Sequence, residues 1–247
     1  MKQTTVTGMV LASMPIGDYD KRLVILTKER GKISAFARGA RKQNSALLAC
    51  SQPFSFGEFY VFEGKDSYTV THANISQYFV ELRGDLKAIY YGFYFCEFAS
   101  YLTRESVDES EVLKLLFQTL KALGKNTIPS ELIRYIFELK IMSINGEAPQ
   151  VFECVSCGTT TDVYQFSPEK GGLVCINCNQ DKAGNGLIPL NESTIYALQF
   201  IIATPIEKLY TFKVSDQVLK ELAYCIKRYL KIYVNIEFKS LEMLDIL

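Results

Sequence analysis

The chain has few of the residues from which catalytic centres are usually built. It has one histidine, His72, in 247 residues, within a stretch of alternating β-formers. No Ser-His-Asp triad or metal-binding histidine pair can be assembled around it, so His72 reads as structural. There is no GxxxxGK[ST] phosphate loop, which excludes a nucleotide hydrolase of that type. Carboxylates are plentiful, but none has a spacing suited to paired acid–base work. No run of about 18 apolar residues occurs, so no membrane-spanning helix is expected. Met1–Met14 carries one basic residue and interleaves threonine with apolar residues. It is not expected to be a signal peptide, and a reducing cytosol is the expected compartment.

What is present is an ordinary core-forming composition, 48% apolar and 22% charged, enough for one large or two to three small domains. The first eighty residues read as five short strands, two of them flanking a turn at Lys28–Gly31. Close spacing with glycine between the strands suggests a small closed β-barrel. Near Leu82 the pattern turns helical. Leu86–Leu102 is apolar on nearly all sides and is expected to be a buried helix, its Tyr90, Tyr91, Phe93, Tyr94 and Phe95 packing the core. Further helices are expected from Ser110 as N-cap to about Gly124, from Pro129-Ser130 to Asn145-Gly146, from an Asn191 cap, and from Ser215 to Val234.

Four of the seven cysteines form two Cys-x-x-Cys pairs, Cys154/Cys157 and Cys175/Cys178. Two such pairs about 15–20 residues apart have the spacing of a zinc ribbon, and four thiolates close a tetrahedral shell with no open position. Gly158 and Gly171-Gly172 stand where the backbone must turn sharply. A structural ion is favoured over a redox dithiol, which usually occurs as one pair in a βαβ setting. Cys50, Cys96 and Cys225 read as small buried hydrophobes.

The net charge is zero, yet the charge is unevenly spread. Lys21, Arg22, Lys28, Arg30, Lys32, Arg38, Arg41 and Lys42 face one acidic residue, Glu29, in the same stretch. A solvated strand face is the ordinary explanation of such a run. The single sign, and the neighbouring Phe36, Phe54, Phe56, Phe59 and Tyr60, favour a groove for single-stranded nucleic acid. Several of those aromatics must be core, and none is assigned individually.

Four stretches in order resemble the bacterial RecO family of recombination mediators: Gly8–Leu48, with its Gly-x-Val-Leu strand and Gly-Ala-Arg; Phe137–Gly158, leading into the first cysteine pair; Phe166–Cys178; and Lys239–Leu247. The resemblance implies an α+β protein: a five-stranded OB-fold barrel over 1–80, helical parts over 81–152 and 183–247, and an inserted four-cysteine zinc module over 153–182. It implies binding of single- and double-stranded DNA, annealing of complementary strands, and help in loading recombinase onto strands coated by single-strand-binding protein. Implied partners are DNA, RecR and the acidic C-terminal tail of the single-strand-binding protein. The implied location is the cytoplasm, in association with the nucleoid. Lys28, Arg30, Lys32, Arg38, Arg41 and Lys42 would face DNA, and Arg134 falls on the helix that resembles the tail-docking site. Two departures stand out. The stretch after Lys42 lacks a further basic residue common in relatives, and Glu147 places an acid near the implied tail site.

No catalytic residue is assigned. Two rivals are a zinc-dependent nucleic-acid-modifying enzyme, with Glu153, Asp162 or Glu169 as base, and a protein adaptor whose barrel binds protein.

Overall fold

The computed structural model describes residues 3–65, 67–179, 186–244 and 246. Residues 1–2 and 66 of the expected barrel, 180–182 of the expected module, 183–185 after it, and Asp245 and Leu247 of the last matching stretch lie outside the described residues. Among the described residues there are eight strands and seven α-helices: β1 (Gln3–Ile16), β2 (Asp20–Thr27), β3 (Gly31–Ala37), α1 (Leu47–Cys50), β4 (Phe56–Glu63), β5 (Tyr68–Gln77), α2 (Leu86–Leu102), α3 (Ser110–Lys125), α4 (Ser130–Ile144), β6 (Gln165–Ser167), β7 (Gly172–Val174), β8 (Ile188–Pro189), α5 (Glu192–Ala203), α6 (Asp216–Tyr233) and α7 (Lys239–Leu244). They fall into two compact units, residues 1–125 with 238–247, and residues 126–237.

In the first unit, β1 to β5 close a barrel in the order β1-β2-β3-β5-β4, with β3 and β5 parallel and the other pairs antiparallel. This is the five-stranded OB-fold expected from the sequence. Strand β1 is long enough to serve two partners. Its first half pairs with β4 and its second with β2, and a register shift between Val10 and Ala12 bends it round. Alternation places Val6, Val10, Leu23, Ile25, Ile33, Phe59, Val61 and Val70 inside the barrel. Leu47 and Cys50 of α1 join that core, so the short helix plugs the barrel.

Helix α2 starts at Asp85, whose carboxylate accepts from the N–H groups of Lys87 and Ala88. It is buried along most of its length, as expected, with Tyr91, Tyr94, Phe95 and Phe98 in the core. Phe93 meets Phe54 (ring centroids 5.1 Å), and Phe117 of α3 meets Phe56 (4.7 Å), which ties both helices to the barrel. Helix α7 packs on α2 through the residue just before it: Phe238 lies 5.3 Å from Tyr94 and 4.8 Å from Phe98. Ser110 is not the cap of α3 but its first residue; Asp108 Oδ1 accepts its N–H at 3.0 Å.

The second unit is helical around the small sheet β7-β6-β8. Helix α4 is buried without interruption from Leu132 to Met142. Within it Lys140 Nζ donates to the carbonyls of Ile202 (2.7 Å) and Thr204 (2.8 Å), satisfying the end of α5. Asn191 caps α5 by accepting the Thr194 N–H at 2.8 Å, as its sequence position suggests. Glu221 of α6 braces the same end, accepting from Asn191 N (3.0 Å), Asn191 Nδ2 (2.8 Å) and Thr194 Oγ1 (2.7 Å). No helix among the described residues is long and apolar enough to cross a membrane.

Candidate nucleic-acid interface and metal centre

The basic stripe is divided between the two ends of the β2–β3 ladder. Register runs from Thr27↔Gly31 at the turn to Lys21↔Ala37 at the far end. Those six steps are about 20 Å at ~3.3 Å per residue.

At the turn end the backbone is tied down and two of the three cations, Arg30 and Lys32, have protein partners. The exposed Lys28 donates its backbone N–H to Thr7 O (2.8 Å), and Glu29 accepts the Thr7 N–H (2.8 Å). Arg30 pairs with Glu63 at 3.7 Å. Lys32 points its ammonium at the carbonyl of Ser100, in the last turn of α2, where a cation meets the negative end of the helix. Burial holds the Lys32 pKa below the ordinary lysine value, opposed by nearby Glu109. The backbone is tied down as well: Lys32 N donates to Arg104 O and Ser106 N to Arg30 O, both at 2.9 Å. Gly31 has φ +64°, and a Cβ there would collide with the Arg104 carbonyl. The segment between α2 and α3 therefore seals this end.

The far end is open. Arg38, Arg41 and Lys42 follow β3 and are exposed. Arg41 is moored to the β1–β2 turn twice: its N–H donates to Tyr19 O (2.9 Å) and its Nη1 to Gly17 O (3.0 Å). Asp20 accepts the Gly39 N–H at 2.7 Å, joining the same two loops. Lys42 Nζ lies 5.5 Å from the centre of the Tyr19 ring. Lys21 donates to Ser51 Oγ at 3.1 Å. Its pKa is held low by burial and then by the Arg41 guanidinium, as expected where positive charges crowd. The exposed Arg22 donates to Ser34 Oγ at 2.9 Å.

The aromatics of the sequence argument divide differently. Phe59 is fully buried and Phe54 nearly so. Phe36 and Phe56 are half-buried, and Tyr60 lies on the β4–β5 face against His72, ring centroids 5.6 Å apart. Tyr19, which sequence reasoning passed over, is 57% exposed. The Gly17-Asp18-Tyr19-Asp20 turn was its only signal.

Arg134 lies within α4, 8% exposed, and its Nε donates to Glu138 Oε1 at 2.7 Å.

The four cysteines of the paired motifs converge, with all four Sγ atoms within 4.8 Å of one another. Cys157 and Cys175 Sγ are 3.7 Å apart, close to the ~3.8 Å edge of a tetrahedron with metal–sulfur bonds of about 2.3 Å. The first knuckle closes when Gly158 N donates to Cys154 O (2.8 Å) with Gly158 at φ +74°. Gly171 turns at φ +73°. Gly172 serves another purpose, since a Cβ on it would strike the Gln150 backbone that lies alongside. Burial raises the Cys154 thiol, but the N–H groups of Cys175, Ser156 and Cys157 more than offset this and bring it to about 6. Hydrogen bonding to Cys157 and Cys175 pushes Cys178 up to about 12. A bound cation favours all four as thiolates. The donor set fits a soft metal ion held in a closed shell. Around it, Glu169 is paired with Arg228 at 3.2 Å and Glu153 accepts from Gln150 Nε2 at 3.3 Å; Asp162 is exposed. Cys50, Cys96 and Cys225 are buried.

Fold and site together define an OB-fold protein with a basic barrel end and a four-cysteine cluster that could hold a metal ion. Models of the Recombination protein O N-terminal and C-terminal domains match residues 1–79 and 83–242. The DNA repair protein RecO of Alkaliphilus metalliredigens is 36% identical over 96% of both chains. That of Acetivibrio thermocellus is 32% identical over 100% of this chain and 98% of its own, and that of Thermoanaerobacter sp. 30% identical over 99% and 98%. The chain belongs to the RecO family of DNA repair and recombination proteins.

Proposed function

We propose that this protein binds single- and double-stranded DNA at the open end of its barrel and anneals complementary strands. The observation that carries this is the convergence of Arg38, Arg41 and Lys42 with Tyr19 on two loops pinned to each other. Annealing needs no nucleophile. It needs two polyanions held near each other with their repulsion neutralised, which fixed cations supply. The protein acts as a binding mediator rather than an enzyme. Residues 1–80 form the DNA-binding part, 81–152 and 183–247 the helical parts, and 153–182 the metal module.

The six basic residues of the sequence argument take unequal roles here. Arg38, Arg41 and Lys42 contact phosphates. Lys28 and Arg30 lie at the sealed end, and Lys32 orients the helix terminus it touches. The ion in the module is zinc, which contributes folding free energy and offers no open position to a substrate. RecR, and the acidic tail of the single-strand-binding protein docked near Arg134, complete a route by which recombinase is loaded onto coated strands. Because Arg134 is buried against Glu138, a tail carboxylate would share that guanidinium with Glu138. The location is the cytoplasm, with the nucleoid.

Anisotropy titration with a fluorescent single-stranded oligonucleotide across a range of salt concentrations tests the reading, together with the rate at which complementary strands pair. The expected result is binding with a steep negative log–log salt slope and accelerated pairing. Binding that ignores salt, or no binding, removes it.

A further inference from the structure

Of the eight phenylalanine and tyrosine side chains between residues 3 and 77, Tyr19 alone is exposed; the others are half-buried or buried. A 57% exposed ring at the tip of a turn gains nothing from the barrel core. Its position is nevertheless fixed. The Tyr19 carbonyl accepts the Arg41 N–H, the neighbouring Gly17 carbonyl accepts Arg41 Nη1, and Asp20 Oδ1 accepts the Gly39 N–H at 2.7 Å. Lys42 Nζ stands over the ring at 5.5 Å, and Arg38 and Arg41 are exposed on the same segment that carries Lys42. Asp18 is the one exposed acid in the turn. A flat apolar surface framed by phosphate-binding cations is the combination that holds single-stranded nucleic acid independently of sequence.

We infer that Tyr19, backed by Lys42, is a nucleobase platform on which one unpaired base stacks while Arg38 and Arg41 hold the neighbouring phosphates. This rests on the DNA-binding reading above and adds a ligand group to it: the base itself, not only the backbone. A stacked base is an unpaired base, so the platform favours single strands over duplex. It also leaves the base's pairing edge free for a second strand.

The full chain is titrated with oligodeoxythymidylate and with an abasic deoxyribose-phosphate polymer of equal length and charge. Wild type is expected to prefer the base-bearing strand by roughly 5- to 150-fold, the worth of one stacked base. Tyr19→Ala should abolish most of that preference while leaving the log–log salt slope unchanged, and Tyr19→Phe should retain it. The chain has no tryptophan, so Tyr19→Trp provides a single reporter, whose emission should be quenched by the base-bearing strand and not by the abasic one. If Tyr19→Ala keeps the preference, or the Tyr19→Trp emission is unmoved by either polymer, the platform is wrong. If wild type binds both polymers equally, DNA binding stands and the platform falls. If wild type binds neither, the DNA reading falls and takes the platform with it.

Discussion

At the scale of single residues, charged groups in this chain are fixed by particular partners, and those partners determine what each can do. Glu221 is the clearest case. Burial raises its carboxyl, but the Asn191 N–H, Thr194, Gln217 and the Asn191 amide outweigh that and bring it below the ordinary 4.5. A lowered carboxyl contributes stability that is fully present above that ordinary value and is lost as pH falls through the folded value. Glu221→Gln should therefore lower the melting temperature at neutral pH and flatten the acid side of the stability profile, as read by thermal unfolding across pH 3 to 7, roughly the carboxylate range. Lys32 shows the converse problem for sequence reasoning. Among neighbouring lysines and arginines it looks like another member of the stripe. Its partner, Ser100, lies 68 residues away, beyond any local pattern.

At the scale of elements, the β2–β3 turn and the segment after α2 act as one seal. Gly31→Ala places a side chain at φ +64° against the Arg104 carbonyl. The left-handed conformation alone costs about 1–2 kcal/mol, and the collision adds to it. The midpoint of urea unfolding should fall accordingly, while a substitution at the open turn, Gly17→Ala, meets no atom within 4 Å and should pay only for conformation. The cysteine module makes a second prediction at this scale. Metal analysis of the purified protein should find about one zinc per chain, the capacity of one tetrahedral four-thiolate site. Cys178→Ser should lower that occupancy and the thermal stability together, with any loss of DNA binding following the loss of folded protein. Retained zinc and folding in that variant would refute the closed shell.

Period-two strands, the Asn191 cap and the paired cysteines were legible in the sequence because each depends on residues a few positions apart. The α7 contact was not, because Phe238 becomes core only when it meets Tyr94 and Phe98, over a hundred residues earlier. Ser110 was misplaced by one position because Asp108 captures its N–H. Phe54, Phe56 and Phe59 masked Tyr19: composition cannot separate a ring that fills a barrel from one that stands outside it.

At the scale of the whole molecule, a neutral chain of the RecO family carries one run of nearly single-signed positive charge, split between two ends of one barrel ladder, and only one end is open. The central claim is that DNA is held at the open end, by Arg38 and Arg41. The direct measurement compares two double variants, Arg38→Ala/Arg41→Ala and Lys28→Ala/Arg30→Ala, in salt titrations of single-stranded DNA binding. Each phosphate contact removed flattens the log–log slope by about 0.7. The account predicts a flattening of about 1.4 for the first pair and an unchanged slope for the second. A flattened slope for Lys28→Ala/Arg30→Ala, with Arg38→Ala/Arg41→Ala indistinguishable from wild type, would contradict it.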